Sequence, residues 1–277
     1  MASRKKTRKD FEMSKSYFDI DAVSATLLKS VIKQSPVHAE ERMKSFVPTA
    51  NMKLGTAFHA AILEGEEWDE LIAVSPMVDR RTKAGKEAHA KFLETVADKT
   101  VITPDQCDLM EAMQTSCLAH PEVQLLFEKC YATEMQIEFE FDGIDCKAMI
   151  DMVDDKGTIV DIKTTQDASP EAFMKQSANL HYHLQLAWYA RAMNLDLRDV
   201  NAYIIAVENT APHGVAVYRF SQSALLNGWE LCKHGVKLWK DYKLNKAIGE
   251  DSLPYTDGIL ELELPVWATN SMEELSK

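Results

Sequence analysis

The chain has 277 residues, 46% of them hydrophobic, enough to bury a sizeable core, which excludes a largely disordered protein. A formal net charge of −12 argues at first sight against a nucleic-acid partner, although net charge is a weak guide where a cleft concentrates the opposite sign. The five cysteines, at 107, 117, 130, 146 and 232, form no CxxC pair and no His-spaced set, so neither structural zinc nor an iron–sulfur cluster is expected, and the set reads as reduced and intracellular.

Residues 1–16, with the run MASRKKTRKDF, read as a flexible basic tail rather than a DNA-gripping arm; they lack the apolar stretch of a leader. No run approaches a membrane span, so a cytoplasmic protein is expected. In DIDAVSATLLKSVIKQSPVHA, Ser24 is placed to cap a helix with Leu27, Leu28, Val31 and Ile32 on one side, and Pro36 ends it. The stretch MKLGTAFHAAIL, 52–63, has helical apolar spacing with Gly65 as C-cap, and Gly55 and His59 share one face. A histidine there is either a satisfied core residue or a functional one, and the glycine removes bulk beside it.

The cluster VDRRTKAGKEAHAKF supplies Arg80, Arg81, Lys83 and Lys86, open to two readings, a solvent-facing helix or a phosphate contact. Thr103 and Pro104 open an amphipathic helix carrying Leu109, Met110 and Met113, and Pro121 interrupts before Val123–Phe127 resume an apolar face. Residues 20–130 therefore read as a mainly helical half.

At Glu134 the apolar period changes to two. EMQIEFEF alternates Met135, Ile137, Phe139 and Phe141 with polar residues, as a half-buried strand ending in an Asp142-Gly143 turn does. A strand to Val153, a polar turn at 154–157 and the strand TIVDIKT complete a meander of about three strands. In the last of these, Val160 and Ile162 share one face and Asp161 and Lys163 the other, and pairing across the turn brings Asp151 opposite Asp161, give or take one residue. Two carboxylates and an ammonium on one area of sheet can hold a divalent metal, with the Ile162 carbonyl as a further oxygen and Lys163 to stabilise developing negative charge. A lysine beside carboxylates is equally what a surface ion pair looks like. Ser169-Pro170 opens the next helical segment, and LHYHLQLAWYARAMNL places Gln185 and Tyr189 at i and i+4. VNAYIIAV and GVAVYRF read as neighbouring strands, 221–246 as a long amphipathic helix, and 247–277 as an extended C-terminal wrap.

GxxxH at 55–59, Asp151, Asp161-Ile162-Lys163 and QxxxY at 185–189, in this order and with a meander before a helix, resemble the PD-(D/E)xK nucleases of the RecB-like branch, and within it the exodeoxyribonuclease VIII (RecE) nuclease family of phages and prophages. SATLLKSVIKQSPVHA resembles that family's early segment, so the likeness runs from about residue 17 through most of the chain. The resemblance implies an α/β (α+β) fold with a restriction-endonuclease-like core, a central mixed sheet flanked by helices with a helical N-terminal half. It implies one exonuclease domain over 17–277, with a helical part at about 20–130, catalytic sheet and helices at about 134–246, and the wrap. It further implies a Mg2+-dependent, ATP-independent exodeoxyribonuclease, with Mn2+ able to substitute, that degrades the 5′ strand of linear double-stranded DNA for an annealing partner of the RecT type, from a ring tetramer with a basic channel. Related nucleases of other polarity or endonucleolytic mode, and an idle DNA-binding protein of the same fold, are the alternatives.

By this resemblance His59, Asp151, Asp161 and the Ile162 carbonyl are metal ligands, Lys163 is the catalytic lysine, and Gln185 and Tyr189 line the site. Glu138 or Glu140 is a further acidic candidate. The chain departs from the wider superfamily in lacking the four-cysteine arrangement of its iron–sulfur members.

Overall fold

The computed structural model describes residues 17–65, 68–250, 252–255 and 258–264. The basic tail 1–16 and the end of the expected wrap, from 265 on, lie outside the described residues.

After a 3-10 turn at Tyr17–Asp19, α1 (Ala25–Lys33) starts at Ser24, whose hydroxyl accepts the Leu27 N–H. Pro36 does not end that helix. It is the first residue of α2 (Pro36–Lys44), a position where proline's missing N–H costs nothing, with Ser35 as the cap. Next come α3 (Ala50–Leu63), the short α4 (Trp68–Leu71), β1 (Ile72–Val74), α5 (Lys83–Thr95) and β2 (Thr100–Ile102). β1 and β2 form a small parallel pair inside the half expected to be helical. α6 (Pro104–Ala119) opens on a capping box between Thr103 and Gln106, and α7 (Pro121–Lys129) follows.

The main sheet then forms from β3 (Cys130–Phe141), β4 (Ile144–Asp154) and β5 (Ile159–Thr165). α8 (Pro170–Asn179) and α9 (Tyr182–Ala192) cross over to β6 (Ala202–Glu208), β7 (Val215–Arg219) pairs with it, and α10 (Gln222–Ala247) closes the order. Strand order is β3-β4-β5-β6-β7, antiparallel throughout except for the parallel β5–β6 pair. This is a mixed α/β fold with helices on both faces of a five-stranded sheet. Two turn positions, Asp142 and Gly143, take φ of 54° and 74°, as a tight hairpin between β3 and β4 requires.

One core packs α1, α9 and α10 on the face that bears Ile150, Ile159 and Ile204. The other packs α3, α6 and the β1–β2 pair on the face that bears Met152, Val160, Ile162 and Ile205. α9 and α10 approach so closely that a Cβ on Gly228 would lie 2.2 Å from the His183 carbonyl oxygen. After α10 the described residues of the wrap form no regular element. Tyr255 sets its ring 5.3 Å from that of His38, while Ile259, Leu260, Leu262 and Leu264 are exposed. Among the described residues no helix is long and apolar enough to cross a membrane, and the five cysteines form no disulfide with one another.

Candidate metal and catalytic centre

The site is built where the ladder between β4 and β5 opens. The two strands pair at Met152–Val160 and Val153–Ile159, and one step further Asp151 stands opposite Asp161. There the Asp151 carboxylate takes the place of a backbone acceptor, with Oδ2 receiving the Ile162 N–H at 2.7 Å. From the α3 side His59 reaches the same point. Its Nε2 lies 2.8 Å from the Ile162 carbonyl oxygen and its Nδ1 3.5 Å from Asp151 Oδ2.

Glu134, not Glu138 or Glu140, is the additional acid. Registers Thr133–Met152 and Met135–Ile150 place it opposite Asp151, and its φ of 50° marks a kink in β3. Inward-facing positions change phase at that level. Ile137 and Met135 pack on the α9 side, as does Ala132, while on β4 the same core takes Ala148, Ile150 and then Val153. At this level a ligand atom each of His59, Glu134 and Asp151 lies within 4.8 Å of the others. Glu138 and Glu140 are exposed further along β3, where Glu138 pairs with Lys147. A cleft of about 470 Å3, lined in part by Gly55, His59, Glu134 and Met149, opens onto this cluster. A Cβ at Gly55 would meet Thr164 Oγ1 at an ordinary 3.6 Å, so the sheet itself does not demand glycine there.

On the α9 side Asp161 is 1% exposed. Its Oδ1 accepts the Gln185 Nε2 at 2.9 Å, and the same nitrogen lies 2.6 Å from the Tyr189 hydroxyl. Its Oδ2 is buried and ion-paired with the Lys163 ammonium at 2.5 Å. α9 is held in place by Trp188, fully buried, whose indole N–H donates to the Lys147 carbonyl on β4. Lys29 of α1 enters as well, donating to Gln185 Oε1 at 2.6 Å.

The charges are strained in one direction. Burial, and after it the charge of Asp161, pushes the Asp151 carboxyl above the usual carboxylate range. Burial alone would pull Lys163 down, but Asp161 and Asp151 outweigh it and hold its ammonium above the ordinary lysine value. Burial raises the Tyr189 hydroxyl far enough that it stays protonated. Crowded carboxylates, an imidazole and a backbone carbonyl suit a hard divalent cation, whose charge would offset the burial and the Asp161 charge that raise Asp151.

His59, Asp151 and the Ile162 carbonyl thus converge, and Asp161, Lys163, Gln185 and Tyr189 form a connected chain beside them. Arg80, Arg81, Lys83 and Lys86 do not join them. They are exposed around the start of α5, where Arg81 pairs with Asp79 and Lys83 with Glu87. Glu134 and Lys29 were not singled out from the sequence. Glu134 shares its even phase with Glu138 and Glu140, and Lys29 lies inside the segment SATLLKS, so a signal existed for each without a means of ranking it.

A family model described as a PDDEXK-like domain of unknown function (DUF3799) matches residues 24–248. The crystal structure of a "Putative exonuclease" from Eubacterium rectale is similar with a TM-score of 0.58 at 11% identity, over 94% of this chain and 99% of that one, a likeness of fold. The crystal structure of SSO0001 is 14% identical over 80% of this chain and 93% of that one, with a TM-score of 0.29, too low to argue from. No curated protein matches.

Proposed function

The chain belongs to the family of PDDEXK-like domains of unknown function, and on that premise we propose that it is a divalent-metal-dependent deoxyribonuclease. One observation carries the reading: carboxylates from β3, β4 and β5, an imidazole from α3 and a buried lysine are gathered at the fork between two strands. His59, Glu134, Asp151, Asp161 and the Ile162 carbonyl would hold Mg2+, with Mn2+ able to replace it. The cation would supply charge relief on the phosphoryl oxygens and an activated water. Lys163, kept charged by Asp161 and Asp151, is suited to orient the attacking water and to stabilise negative charge as it develops. Gln185 and Tyr189 hold Asp161 from behind and close that side of the site against solvent.

The finer reading rests on the resemblance to the exodeoxyribonuclease VIII (RecE) family and on the fold shared with a protein named for exonuclease activity. It is an ATP-independent exonuclease that degrades the 5′ strand of linear duplex DNA in the cytoplasm and leaves a 3′ strand for a RecT-type annealing partner. A ring tetramer would reconcile a net charge of −12 with DNA, since enclosure can place basic residues inward and acidic ones outward.

The test uses linear duplex labelled separately at its 5′ and 3′ ends, beside a closed circle. Mg2+-dependent loss of the 5′ label with the circle intact is expected, and Asp161→Ala or Lys163→Ala should lower the rate by about 10³-fold or more in a protein that still melts normally. Cutting of the circle would make it an endonuclease. Undiminished digestion by both variants would reject the site.

A further inference from the structure

Lys29 has no place in the chemistry above, yet it is built into the centre. It sits one turn into α1, and its ammonium passes 5.7 Å from the centre of the Tyr182 ring to end 2.6 Å from Gln185 Oε1. The Lys163 ammonium lies over the same ring at 5.4 Å. Burial, then the Lys163 charge, pulls Lys29 down to about 8, against the opposite pull of Asp161 and Asp151. Keeping such a cation here is costly, which calls for a purpose beyond packing.

Its partner gives one. An amide side chain has nearly the same shape with its oxygen and nitrogen exchanged, and only its hydrogen bonds choose between the two. An ammonium is a donor and nothing else, so the amide atom that meets Lys29 must be the oxygen. That choice turns the NH2 group toward Asp161 Oδ1, 2.9 Å away, and the Tyr189 hydroxyl, 2.6 Å away. In the exchanged orientation the amide oxygen would face a buried carboxylate and repel it. We propose that Lys29 is a positioning residue for the metal centre: it fixes the Gln185 amide, which pins Asp161 Oδ1 and so leaves Oδ2 aimed at the cation and at Lys163.

The assignment rests on the metal-dependent nuclease reading, and its test has one readout that needs no cleavage. Mn2+ affinity of the whole protein without DNA is measured by calorimetry for wild type, Lys29→Met, Gln185→Ala and the double variant, and turnover on linear duplex is followed in parallel. Lys29→Met should weaken Mn2+ binding about 10-fold and lower kcat by about 10–100-fold with KM little changed, as loss of a residue behind a ligand does. In the Gln185→Ala background it should cause no further loss, because its route through the amide is already gone, and Lys29→Arg should recover part of the loss. Removal of a neighbouring positive charge by itself would tighten cation binding, so unchanged or tighter Mn2+ binding by Lys29→Met overturns the proposal. So does an equal further loss on top of Gln185→Ala. Should Lys29→Met fail to fold, Lys29→Gln carries the same comparisons. A wild-type protein that binds Mn2+ but leaves DNA intact would sink the nuclease reading, while the binding cycle still decides the role of Lys29.

Discussion

Asp151 and Glu134 stand opposite each other where β3 and β4 change phase, with His59 within reach of both. Carboxylates so close repel one another unless a cation or a proton intervenes. Burial first, and then the charge of Asp161, already raise the Asp151 carboxyl, so a cation at this point would relieve it. Glu134→Gln keeps the shape and removes one charge. It should raise the Mg2+ concentration needed for half-maximal digestion by about 10–100-fold without lowering the melting temperature. An unchanged Mg2+ requirement would remove Glu134 from the ligand set. Asp151, Asp161 and Lys163 could be found from the sequence because two strands and a short turn fix their relation within a dozen residues. Glu134 could not be ranked above Glu138, because a kink at φ of 50° leaves no mark in an alternating pattern. Lys29 was hidden for another reason: its partner is 156 residues away.

At the scale of elements, the site depends on helices held against the sheet from both sides. α1 and α10 flank α9, and α2 is tied to α10 by Glu40, which receives the Lys246 ammonium at 2.6 Å and the Tyr242 hydroxyl at 2.8 Å. Lys246 first, then Tyr242 and Lys44, hold the Glu40 carboxyl down at about 2, below its ordinary 4.5. A carboxyl lowered by folding stabilises the folded state above its unfolded value, and the contribution disappears as pH falls through the folded value. Glu40→Gln should therefore cost about 0.5–1 kcal/mol at pH 7, and the gap from wild type should narrow between pH 4.5 and 2 in urea melts. A gap independent of pH would contradict the assignment. Most long elements were legible because period and caps agreed, as at Ser24 and across the Thr103–Gln106 box. The pair β1–β2 was not, since three-residue strands carry too few positions to show a period. Pro36 was read as a stop when it is a start, because Ser-Pro both follows one helix and caps the next.

For the molecule as a whole, the sheet separates two cores, and the centre lies at the seam between them. His59 belongs to the helix that fills one core, Gln185 and Tyr189 to the helix that fills the other, and β5 presents Asp161 to one layer and the Ile162 side chain to the opposite one. Neither core alone assembles the site, so the chemistry depends on the complete three-layer fold. The central mixed sheet flanked by helices was legible through the family resemblance, while the sequence pattern by itself showed the three-strand meander and the later helices and strands without their order in space. The meeting of α1 with α9 was not, because no local pattern encodes it. The most direct check on the whole account is diffraction from crystals soaked in Mn2+, recorded where manganese scatters anomalously. An anomalous peak bonded to Asp151, Asp161, the Ile162 carbonyl and at least one of His59 and Glu134 is the predicted result. Well-ordered crystals that show no peak there, or manganese held only elsewhere on the protein, would contradict it.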